Sequence, residues 1–143
     1  MKTFIVFVGI LIINISFIIY QGDMNRYVQA QNFLKATAEE CASGAALYYD
    51  ENLFSEGKMV FKYSEGIKFI ENFLNETENK MPFENCSKIM YSIVFEDDLQ
   101  GYKEDSNPSV EVILKVETED FFRLPFLNIN NVERMAKYEL PKA

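Results

Sequence analysis

From Thr3 to Tyr20 the chain reads TFIVFVGILIINISFIIY, an almost unbroken apolar run without a charged side chain. Coiled as a helix at 1.5 Å per residue, this run spans roughly 27 Å, close to the hydrocarbon thickness of a bilayer. A secretory signal would end in a small-x-small cleavage site, and Ile18-Ile19-Tyr20-Gln21-Gly22-Asp23 does not fit one. A retained anchor over residues 1–22 is therefore expected, followed by a single domain over 23–143. After Tyr20 the apolar pattern changes period instead of stopping. Met24 to Tyr49 contains no proline and many helix formers. Tyr20, Tyr27, Leu34, Cys41 and Tyr48 recur every seven residues, with Ala30, Ala38 and Ala45 on the same side and Gln29, Lys35 and Glu39 elsewhere. The pattern predicts one rod of roughly 70 Å, transmembrane and then amphipathic. Gly22 is a weak breaker that could kink it at the membrane surface. The small patch Ala42-Ser43-Gly44-Ala45-Ala46 admits another backbone closely. Packing in the chain's own core accounts for it, with a partner helix as the alternative.

Beyond the rod the periods shorten. Lys58 to Tyr63 predicts a short strand, and Ser64 is placed to cap a second helix to about Asn75 with Ile67, Ile70, Phe73 and Leu74 on its apolar face. Lys88 to Glu96 puts Ile89, Tyr91, Ile93 and Phe95 on one side. Ser109 to Thr118 alternates Val110, Val112, Leu114 and Val116 against Glu111, Lys115 and Glu117, the clearest strand in the chain. A last strand is expected over Asn130 to Tyr138, with Val132, Ala136 and Tyr138 on one face. This order predicts an α+β fold: a long N-terminal helix packed on a small antiparallel sheet, with a second short helix.

Three features are candidates for contacts. Asn14 and Ser16 lie inside the apolar run, where a polar group either meets another helix or bonds to its own backbone. The stretch before the last strand carries Phe121, Phe122, Leu124 and Phe126, an unusual apolar load for a connection. These four residues either cap the edge of the core or dock on a membrane or partner. Cys41 and Cys86 either form a disulfide outside the cytoplasm or stay as separate buried thiols.

Charge and composition narrow the function. The net charge of −8 is spread out, and no basic patch with interleaved aromatics marks a nucleic-acid surface. With no histidine there is no Ser-His or Cys-His pair, and two cysteines alone cannot complete a zinc site. The six glycines make no phosphate loop, and Asp97-Asp98 does not open an EF-hand frame. No enzyme activity, cofactor, nucleic acid or small-molecule substrate is expected. The N-terminal amine and Lys2 place the N-terminus in the cytoplasm by the positive-inside tendency, and the domain outside it.

A membrane-spanning rod running into a sheet-backed head resembles the plan of type IV pilin-like subunits. More closely, the chain resembles TadE-like minor pilins of tight-adherence (Tad/Flp) pilus systems. Tyr27-Val28-Gln29-Ala30-Gln31-Asn32, Ala36-Thr37-Ala38-Glu39-Glu40-Cys41-Ala42 and Val132-Glu133-Arg134-Met135-Ala136 carry the resemblance. It implies helices that bundle in the membrane, heads that meet outside it, and partners among other pilin-like subunits or pilus assembly platform proteins. Prepilins have a glycine cleavage site and a glutamate early in the mature helix. Here Gly9 sits within the apolar run and Asn14 stands where that glutamate would be. The resemblance thus implies an uncleaved assembly factor instead of a major filament subunit. The alternative is a membrane-anchored binding module for a cell-wall or protein ligand.

Overall fold

The computed structural model describes residues 1–82, 87–103, 107–118, 121–124 and 126–141. Its elements are α1 (Lys2–Ala46), α2 (Glu51–Ser55), α3 (Tyr63–Glu78), β1 (Met90–Glu96), β2 (Ser109–Glu117) and β3 (Asn131–Glu139). The architecture is the expected α+β arrangement of one long helix, a shorter one and an antiparallel sheet.

α1 runs without interruption through Gly22. It closes at Ala46, where the Leu47 and Tyr48 amides donate to the Gly44 and Ala45 carbonyls, each at 3.2 Å. The next stretch departs from expectation. Lys58 to Tyr63 is not a strand. It makes one isolated bridge, Tyr49 to Phe61, in which Lys62 N–H donates to Tyr48 O at 2.8 Å and Asp50 N–H to Val60 O at 2.9 Å. The alternation of Met59 and Phe61 is real, since both are buried, but their neighbour offers too little extended backbone to pair with. That neighbour turns instead into α2, where the Asp50 carboxylate accepts from the amides of Asn52 at 2.9 Å and Leu53 at 3.2 Å. Gly57, at φ 83°, then turns the chain back in a conformation that costs glycine little. α3 begins at Tyr63, one position earlier than Ser64, and no side chain caps it. It extends past Asn75 to Glu78.

The three strands lie in the order β1-β2-β3, antiparallel throughout. β2 is central and fully patterned: Val110, Val112, Leu114 and Val116 are all buried. The register sets Phe95 and Ile93 of β1 opposite Val110 and Val112, and Val132 and Ala136 of β3 opposite Val116 and Val112. Against this face lie the second half of α1 and, across α1, α3. Two residues of the expected apolar faces stay partly outside. Tyr91 is 39% exposed because its hydroxyl reaches out to donate to Glu71 on α3 at 2.6 Å, and Tyr138 is 42% exposed.

The small-residue patch is filled from within the chain. A Cβ on Gly66 of α3 would sit 3.6 Å from the Ala45 Cβ and 3.4 Å from the Phe95 ring. A Cβ on Gly44 would overlap the Phe69 ring. Gly44 therefore leaves the room on α1 that the Phe69 ring of α3 fills.

Candidate functional site at the anchor–head junction

The first half of α1 is bare. Large side chains around its whole circumference are exposed, among them Phe4, Phe7, Ile10, Ile13 and Phe17. The helix is long and apolar enough to cross a membrane, and among the described residues none covers that stretch. Within the chain, the Asn14 side-chain amide donates to the Ile10 carbonyl one turn back at 2.8 Å. Ser16 is half-buried on the same helix.

Cover begins at Asp23, the first buried residue of α1. A carboxylate buried this fully needs partners, since an unpaired buried charge is very costly. Its partners come from the far end of the chain. Asp23 Oδ2 accepts from the Arg123 amide at 3.0 Å, and the Arg123 Nε lies 3.3 Å from Oδ1 as an ion pair without hydrogen-bond alignment. Around this clasp stand four rings. Tyr27 meets Phe121 edge-on at 5.6 Å and Phe122 at 5.9 Å, while Tyr20 lies 6.1 Å from Phe122.

The four apolar residues of this connection therefore divide. Phe121 and Phe122 are buried and cap the core edge against α1. Leu124 is half-buried, and Phe126 is 75% exposed. Further along, Arg134 on β3 donates to the Gln31 side chain on α1, adding a polar tie between helix and sheet. Asp23 carried no signal in the sequence beyond a charge at the end of the apolar run, because its partner lies 100 residues away.

The other polar groups are structural. Asp97 is fully buried and accepts four hydrogen bonds: Phe61 N–H at 3.0 Å, Tyr63 O–H at 2.6 Å, Leu99 N–H at 3.0 Å and Gln100 N–H at 2.8 Å. Asp98 accepts from Met59 N–H at 2.6 Å and from the Tyr102 hydroxyl at 2.8 Å. Neighbouring in sequence, the two carboxylates staple the 59–63 segment onto the turn after β1. Burial, with the Asp97 bond and charge behind it, raises the Tyr63 pKa; burial and Asp98 push Tyr102 up to about 12. Glu96 lies buried beside Ser109, within 3.7 Å of Lys137 and 3.9 Å of Lys103. Cys41 is a free, buried thiol, pushed up to about 12 by burial and then by the nearby Glu40 charge. Cys86 lies outside the described residues. Among the described residues no three acids or cysteines come together as a metal-binding group.

A shallow groove of about 410 Å³ runs along α3, lined by Tyr48, Glu65, Lys68, Phe69, Phe73 and Glu76. Phe69 stacks on Phe73 at 6.0 Å and meets Tyr48 at 5.8 Å. No family model, curated protein or solved structure matches this chain.

Proposed function

We propose that this chain is a membrane-anchored structural or assembly subunit of pilin-like plan, holding its head outside the cytoplasm on a single transmembrane helix. The observation that carries the reading is α1 itself: one helix, bare and apolar in its first half, buried by sheet and α3 in its second. A helix of this kind transmits the position of one end to the other, which suits a part that assembles by helix packing in lipid and by head contacts outside it. On this reading the N-terminal side of α1 faces the cytoplasm, following the positive charge of Lys2. The resemblance to TadE-like minor pilins of Tad/Flp-type pili gives this reading its specific form, with other pilin-like subunits or platform proteins as partners. Site-specific photo-cross-linking from Ile13, 69% exposed, tests it in native membranes. Adducts to a second pilin-like helix or a platform protein of a secretion system are expected. Adducts to lipid alone, with the chain purifying as a monomer, contradict it.

A membrane-anchored binding module for a cell-wall or protein ligand is the second reading. The aromatic groove on α3 favours it. A wall fragment or peptide whose binding is lost on Phe73→Ala, with the head still folded, would move the function there.

A further inference from the structure

The geometry points to a second membrane contact: Phe126, exposed between Leu124 and Leu127, inserts into the interfacial layer of the leaflet that α1 leaves. This rests on reading α1 as a membrane span. Asp23 follows Tyr20 by three residues, about 4.5 Å along the helix axis. The interfacial layer on each side of a bilayer is about 5–7 Å deep. Asp23 is thus at headgroup level, and its hydrogen bond holds the Arg123 backbone there with it, at 3.0 Å. Phe126 comes three residues after Arg123 and can lie no more than about 10 Å from it.

Nor is Phe126 on a loose loop. Leu127 N–H donates to Leu124 O at 3.0 Å, and Leu127 packs against the core. With Arg123 and Leu127 held on either side of it, Phe126 is still 75% exposed, on a head whose other large aromatics, among the described residues, are mostly covered. Charge agrees with lipid as the occupant. In a chain of net charge −8, residues 121–132 contain no acid and one base, Arg123. Its side chain is 66% exposed, at the depth where a lipid phosphate would meet it. Tyr20, whose ring lies 6.1 Å from that of Phe122, stands at the inner edge of this layer, where amphipathic rings favour the membrane boundary. The head would then be docked on the bilayer as well as tethered to it.

The chain has no tryptophan, so a single one reports its own depth. Three full-length variants, Phe126→Trp, Phe17→Trp and Phe54→Trp, are reconstituted in phosphatidylcholine–phosphatidylglycerol vesicles carrying lipids brominated at shallow or deep acyl positions. Phe17 lies within the span, and Phe54 lies past the far end of α1, roughly 35 Å from Asp23. Phe126→Trp is expected to emit to the blue of Phe54→Trp and to lose most emission to shallow bromines. Phe17→Trp should be quenched by deep bromines, and Phe54→Trp by neither. If Phe126→Trp behaves like Phe54→Trp while Phe17→Trp is quenched, the second contact is overturned and the anchor stands. Should Phe17→Trp itself escape quenching, the membrane reading fails and takes this inference with it.

Discussion

Up to Gly22, α1 displays Ile, Phe and Val on every side; from Asp23 onward its buried face is built mainly from Ala30, Ala38, Ala42, Ala45 and Ala46, with Leu34 and Cys41 between them. One backbone thus changes its side chains as its surroundings change. On the proposed membrane-spanning reading, lipid solvates bulky side chains from all directions, so size there adds apolar area without having to fit anything. The head surrounds the helix with a sheet and a second helix at close range, and only small side chains leave room. Hydrophobicity alone does not separate the two halves. Fit does.

Substitutions can break that contrast. The largest effect is expected at Leu34, fully buried on the clasped half. Leu34→Ala should cost the head about 2–5 kcal/mol by denaturant unfolding, whereas Ile12→Ala should leave head unfolding unchanged. Next, Ile12→Lys, near the middle of the apolar run, should cost membrane insertion about 2.5–3.5 kcal/mol, read as a shift from membrane to soluble fraction in an insertion assay. A smaller loss is expected away from the helix. Asp97→Ala strands three amides and the Tyr63 hydroxyl, and should lower head stability by about 1–3 kcal/mol in the same unfolding experiment.

The smallest effect is a pH dependence. Cys41, Tyr63 and Tyr102 all hold their protons more tightly when folded than ordinary groups do. Above about pH 8.5 for a thiol and about pH 10 for a phenol, the unfolded chain releases these protons while the folded chain keeps them. The unfolded state then binds fewer protons, so stability falls as pH rises. Melting temperature should therefore hold steady through neutrality and decline from about pH 9 upward. Cys41 should resist alkylation at pH 8 until the head is unfolded.

Much of this fold was legible because its elements carry their period in consecutive residues: the rod, the alternation of β2, and the apolar face of α3. What escaped was set by distant partners. Lys58 to Tyr63 alternates like a strand, yet only its Phe61 pairing with Tyr49 exists, because the chain before it coils into α2. Asp50, which caps that short helix, was a readable local signal. Tyr91 fitted an apolar face and left it for Glu71 on another helix. At the junction, the weight of apolar residues at 121–127 marked the segment, but only the fold could divide it into buried Phe121 and Phe122 and exposed Phe126. Asp23 stood out only as a charge at the end of the apolar run, and the fold makes it the clasp through Arg123.

The proposed continuity of α1 across a lipid boundary is most directly tested by hydrogen–deuterium exchange of the full-length chain in lipid nanodiscs. Amides from about Phe4 to Ala46 should be protected as one block, the lipid half by the bilayer and the rest by the head, with no gap at Gln21 to Met24. Rapid exchange confined to that short stretch, or throughout the first twenty residues, would mean that anchor and head are not joined by one rigid helix.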